Sequence, residues 1–208
     1  TILRFPKILG DLMKKYIVKT TLMSLSAAVV LGMTGCSNNS NDSTLTATGT
    51  AIDGLLSGST ICIDVNLNNA CDANEDSNTT NNFGEYILAS TQTGPLFLFG
   101  GDDLGTGLPF TGSLKAPQGS TVITPLTSAI QAMIEEGASQ AQAEASVKTA
   151  LGIPANVELT KFNPLAEVGG ANAADAKIVL EKQAQLQTLI HGAATTIASS
   201  DTTKTVVE

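Results

Sequence analysis

The sequence predicts an α+β protein, a small antiparallel β-sandwich followed by a helical region of about three helices. Three observations predict it. Short β-branched or apolar runs between residues 49 and 118 are separated by Gly, Asn and Asp. From Thr124 onward the apolar residues recur at helical spacing instead. Nineteen Gly, no Trp and only 4% aromatic residues accompany a hydrophobic content of 42%. That mix suits a secreted or surface module better than a pocket lined with rings.

The strands follow in order. Residues 49–54 (GTAIDG) read as a strand running into a turn. Residues 59–64 (STICID) form a β-branched strand with Ile61 and Ile63 on one face. Residues 83–88 (FGEYIL) give a turn and then a strand, and residues 95–99 (PLFLF) an apolar strand closed by Gly100-Gly101.

The helices have clear punctuation. Thr124 and Pro125 occupy the N-cap and first position of a helix carrying Leu126, Ile130, Met133 and Ile134, ended by Gly137. Ser139 with Gln142 makes a capping box for a second helix with Ala143, Val147 and Leu151 on one face, stopped by Gly152 and Pro154. Phe162-Asn163-Pro164 starts a short helical turn. A long helix follows from about Ala173 to Ala198, with Val179, Leu186, Leu189, Ile190, Ala193 and Ile197 as its expected buried stripe. His191, the only histidine, lies beside that stripe as an ordinary surface residue.

The N-terminal part carries an address. Met13 begins MKKYIVKT, which reads as a natural start, so residues 1–12 are expected to be untranslated leader. Lys14, Lys15 and Lys19 precede an uncharged stretch at residues 22–33 (LMSLSAAVVLGM), too short to span a bilayer. Met33-Thr34-Gly35-Cys36 then resembles a lipobox, with Met33 where Leu is usual. The resemblance implies a signal helix over residues 13–35, cleavage before Cys36, and diacylglycerol on its thiol with acylation of the new amino terminus. Several acyl chains make such an anchor durable. Ser37 implies sorting to the outer membrane of a two-membrane bacterium. Residues 36–48 are polar and aperiodic and are expected to be a flexible tether. Residues 201–208 (DTTKTVVE) read as an open end that continues.

Residues 1–35 hold five of the eleven basic residues and one of the nineteen acids, leaving six basic against eighteen acidic, a net of −12. Nucleic acid is thereby disfavoured as a partner, and so is electrostatic attachment to anionic lipid. The membrane is reached through lipidated Cys36.

Within the β region one stretch carries chemistry. Asp64, Asn66, Asn68, Asp72 and Glu75 fall at positions 1, 3, 5, 9 and 12 of a loop, with Ala70 at position 7 offering its carbonyl. This is the ligand spacing of a calcium loop. Position 6 is Asn69 in place of Gly, and Asn tolerates positive φ next best. Three carboxylates predict weak binding, on the order of 10⁻⁴ to 10⁻³ M; the alternative is a solvated Asn/Asp turn without an ion. Once Cys36 is lipidated, Cys62 and Cys71 are the remaining pair, and an oxidising compartment argues for a disulfide between them over two free thiols.

The run GTAIDGLLSGSTICIDVNLNNACDANEDSNTTNNFGEYIL resembles a module of bacterial surface lipoproteins and adhesin-like proteins. It is similar to the prealbumin-like sandwiches of carboxypeptidase-regulatory and collagen-adhesin B-type repeats. GSTVITPLTSAI and LGIPANVELTKFNPLA look like segments that follow it, so the likeness covers most of residues 47–168. It implies that the acidic loop is a structural calcium site. The implied organisation is a β module over residues 49–118 and a helical region over residues 122–200.

No nucleophile stands beside a base in the sequence, and G-x-S-x-G and phosphate-binding glycine loops are absent. The expected function is therefore a non-enzymatic outer-membrane or cell-surface lipoprotein, a calcium-stabilised module for adhesion, binding of an extracellular ligand or partner protein, or scaffolding. The alternative is the anchoring stalk of a larger enzyme or receptor whose active domain lies beyond Glu208.

Overall fold

Alternation of exposed and buried residues is sharpest along residues 85–90, where Tyr86, Leu88 and Ser90 point inward and Glu85, Ile87 and Ala89 outward. That strand is one of ten strands, with four helices, among residues 45–200, the residues that the computed structural model describes, with the side chains of residue 191 and residues 194–200 left undescribed. The expected leader, signal segment, Cys36 anchor, the tether as far as residue 44, and residues 201–208 lie outside the described residues.

The strands are β1 (Leu45–Ala51), β2 (Leu56–Ser57), β3 (Thr60–Ile63), β4 (Ser77–Thr79), β5 (Glu85–Ser90), β6 (Leu96–Phe99), β7 (Asp102–Asp103), β8 (Leu108–Pro109), β9 (Ser113–Ala116) and β10 (Val122–Ile123). The helices are α1 (Pro125–Glu135), α2 (Gln140–Leu151), α3 (Pro164–Glu167) and α4 (Ala173–Ser200). This is the α+β architecture the sequence predicts, with a short fourth helix where Asn163-Pro164 caps and starts α3.

Three small sheets run β10-β1-β5, β2-β7-β8 and β4-β3-β6-β9. All pairings are antiparallel except β1 with β10, where Thr50 faces Val122 and Ala51 faces Ile123 in parallel. The first and third sheets share one core, with Ala51, Tyr86, Leu88 and Ile123 from one and Ile61, Ile63, Leu96, Leu98, Leu114 and Ala116 from the other. Ile61 and Ile63 do point to that core, as their spacing predicts.

Two expectations need correction. Residues 45–48, assigned to the tether, are the first half of β1 and pair with β5 from Leu45 opposite Ser90 to Thr48 opposite Ile87. A Thr-rich polar run reads as linker by composition, yet Thr is at home in a pleated, half-exposed strand. Residues 122–123, assigned to the helical region, are β10 of the first sheet, and α1 packs on β9 and β10. Thr127 Oγ1 donates to the Lys115 carbonyl at 2.8 Å, and the Lys115 amide donates to Ser128 Oγ at 2.8 Å.

The helix caps form as read. Thr124 and Thr127 satisfy each other's backbone amides, and Ser139 does the same with Gln142. Gly152 takes the left-handed conformation after α2. The long helix departs from expectation. Among its described side chains the fully covered ones lie in the first turns, at Ala176, Val179 and Gln183, whose Nε2 donates to the Ile52 carbonyl at 2.8 Å. Leu186 is half-buried, whereas Leu189, Ile190 and Ala193 are exposed, and the Ile197 side chain is not described. Helical spacing fixes which residues share a face; it does not supply the neighbour that covers it.

Candidate cation-binding loop

The loop starts where β3 ends. Ile63 is the last core residue of β3, and the Asp64 amide donates to the Pro95 carbonyl at 3.0 Å, holding position 1 of the loop against the sheet. Asp64 is then turned inward, 1% exposed, with Oδ1 accepting from the Asn68 amide and Oδ2 from the Asn69 amide, both at 3.0 Å. At the far end Glu75 is also buried. Its Oε1 accepts from the Val65 amide at 2.8 Å and its Oε2 from the Asp72 amide at 3.1 Å. The two carboxylates thus gather the loop backbone from both ends, which offsets part of the cost of taking them out of water.

Between them the side chains converge. Asn66 Oδ1 accepts from the Asn68 amide at 3.1 Å and Asn68 Oδ1 from the Ala70 amide at 2.9 Å, two successive Asx turns. The amide nitrogens of Asn66 and Asn68 both donate to Asp72 Oδ2, at 2.8 and 2.9 Å. Positions 1, 3, 5, 9 and 12 are therefore joined in one network through side chains and the loop backbone. Ala70 differs, since its carbonyl oxygen lies 3.8 Å from Cys62 Sγ, a disulfide sulphur with no proton to donate.

Asn69 adopts φ +62°, the left-handed geometry expected of it in place of Gly. Leu67 adopts φ +60° as well, and nothing in the sequence marks it. These are the only non-glycine residues with positive φ among the described residues, so the backbone of this loop is bent at a conformational cost, about 1–2 kcal/mol for a residue such as Leu. Leu67 lines a shallow groove of about 380 Å³ with Pro95, Pro117, Gln131 and Ile134.

Cys62 and Cys71 are bonded to each other, with their Cα atoms 5.7 Å apart. Cys62 sits on the face of β3 opposite to Ile61 and Ile63 and is fully buried there, so the disulfide clamps the loop's later half to the strand.

One signal was readable in the sequence and concerns the whole region. Residues 37–114 contain nine acids and no Lys, Arg or His. Among the described residues none of the ion pairs involves Asp64, Asp72 or Glu75. No three His, Cys, Asp or Glu side chains group as a metal site among the described residues; the loop's set depends on amide and carbonyl oxygens as well. No family model, curated protein or solved structure matches the chain.

Proposed function

We propose that this chain is a non-catalytic envelope lipoprotein module, tethered through lipid on Cys36 to the outer membrane, whose folded part serves adhesion, ligand binding or scaffolding and is stabilised by calcium. The observation that carries the reading is the loop: two buried carboxylates, Asp64 and Glu75, frame it in a region without basic side chains. Backbone amides offset only part of their charge, and a bound cation offsets the rest.

The donor chemistry fits a hard cation. Every side chain in the set carries oxygen, and the carboxylate oxygens of Asp64 and Glu75, each accepting one amide, keep a second lone pair, while Asp72 Oδ2 accepts from both Asn66 and Asn68. Asp64, Asn66, Asn68, Asp72 and Glu75 would hold the ion, with the Ala70 carbonyl as the sixth group. Calcium, when bound, supplies positive charge and ties the two ends of the loop together. The chain's own part is to pre-orient Asp64 and Glu75 through the Val65, Asn68, Asn69 and Asp72 amides. The disulfide suits an oxidising compartment, the setting that the Met33-Thr34-Gly35-Cys36 motif addresses.

The intact mass of protein extracted from membranes tests the anchor. The expected chain begins at Cys36 and carries acyl groups, and Cys36→Ala leaves the signal segment uncut. A soluble chain that retains residues 13–35 and bears no lipid refutes the proposal.

A further inference from the structure

The cysteine pair that clamps the loop differs sharply in access. Cys62 Sγ belongs to a fully buried residue on β3, whereas Cys71 is partly exposed in the loop. We propose that the loop is a thiol-redox gate, in which reduction of Cys62–Cys71 releases residues 65–74 from the sheet while the strands beneath stay folded. This goes beyond the cation reading and does not depend on it.

The forces on the two sides of the disulfide are unequal. Residues 65–70 are all exposed, so little apolar burial holds them in place. Leu67 and Asn69 sit in the left-handed region, which favours opening. Against opening stand the amide bonds to Asp64 and Glu75, and the covalent clamp. The strand side has much more. β3 is paired on both edges, to β4 and to β6, and contributes Ile61 and Ile63 to the core. Loss of the clamp therefore lowers the cost of opening the loop and leaves the ladder's protection nearly untouched.

A small dithiol is the reductant. Its thiolate attacks Sγ of the partly exposed Cys71, and the Cys62–Cys71 bond breaks with Cys62 leaving as thiolate. The reductant's second thiol then displaces Cys71 and closes its own disulfide. Two electrons and two protons pass to the cysteine pair, and the dithiol is oxidised.

Amide hydrogen exchange of the full chain, in chelator throughout, tests the gate with disulfide-intact protein, dithiothreitol-reduced protein and Cys71→Ala, which keeps the buried Cys62 side chain. Loop closure of this length predicts that the Val65, Asn68, Asn69 and Asp72 amides exchange about tenfold to a hundredfold faster without the bond. The Asp64 amide and those of β6 should change less than about twofold. Unchanged loop amides would show that the bond gates nothing. Equal acceleration of loop and ladder would show that it supports the whole fold, and either result overturns the proposal.

Discussion

Tyr86 is the one tyrosine among the described residues, and its ring is buried in the core with the hydroxyl donating to the Ser120 carbonyl at 3.4 Å. Burial raises its phenol well above the ordinary value of 10, because the phenolate would lose its hydration. The unfolded chain still ionises near pH 10. The stability tied to the neutral phenol is therefore complete below that pH and is lost as pH rises past it, by up to about 1.4 kcal/mol per pH unit. Urea unfolding followed from pH 9 to 11 should show this decline in the wild type and a shallower one in Tyr86→Phe; parallel curves would contradict it. The same residue shows what a sequence conceals. A side chain at Gly49 would meet Tyr86 Oη and the Thr121 carbonyl, a demand set by residues 37 and 72 positions away. Gly49 reads in the sequence only as the start of a strand. The polar network from Asp64 to Glu75 follows the spacing of its Asp, Asn and Glu residues, whereas Leu67 carries no mark of its left-handed backbone.

At the level of elements, what is local was legible. The N-caps of α1 and α2 and the glycine stop of α2 are set by residues within four positions, and they form where the sequence puts them. The Thr124 cap is buried and joined through Thr127 to β9, while the Ser139 cap is exposed. Thr124→Ala should accordingly cost about 1.5–2 kcal/mol and Ser139→Ala about 0.5–1 kcal/mol, read from denaturant midpoints. Equal losses would mean that the link to β9 adds nothing. The two-residue strands β2, β7, β8 and β10 escaped the sequence because so short a run has no periodicity to detect, and their partners are mostly remote. The distal face of α4 failed for the opposite reason. Its apolar residues recur at helical spacing, but Leu189 and Ile190 find no cover among the described residues.

On the scale of the molecule, the strands and helices are one body, tied where α1 lies on β9 and where Gln183 of α4 reaches the end of β1. Charge is distributed unevenly over that body. All six basic residues after Cys36 lie at or beyond Lys115, leaving residues 37–114 with acids alone. On the proposed reading, a cation between Asp64 and Glu75 would relieve this imbalance at its most buried point. The most direct measurement is the melting temperature in chelator and in calcium at about ten times the expected dissociation constant, on the order of 10 mM. Binding at that level stabilises by about 1.4 kcal/mol, a rise of about 3–6 °C for a fold of this size. A calcium-stabilised loop gives that rise in the wild type and loses it in Glu75→Gln; superimposable melting curves of the wild type in chelator and in calcium would overturn the proposed cation site.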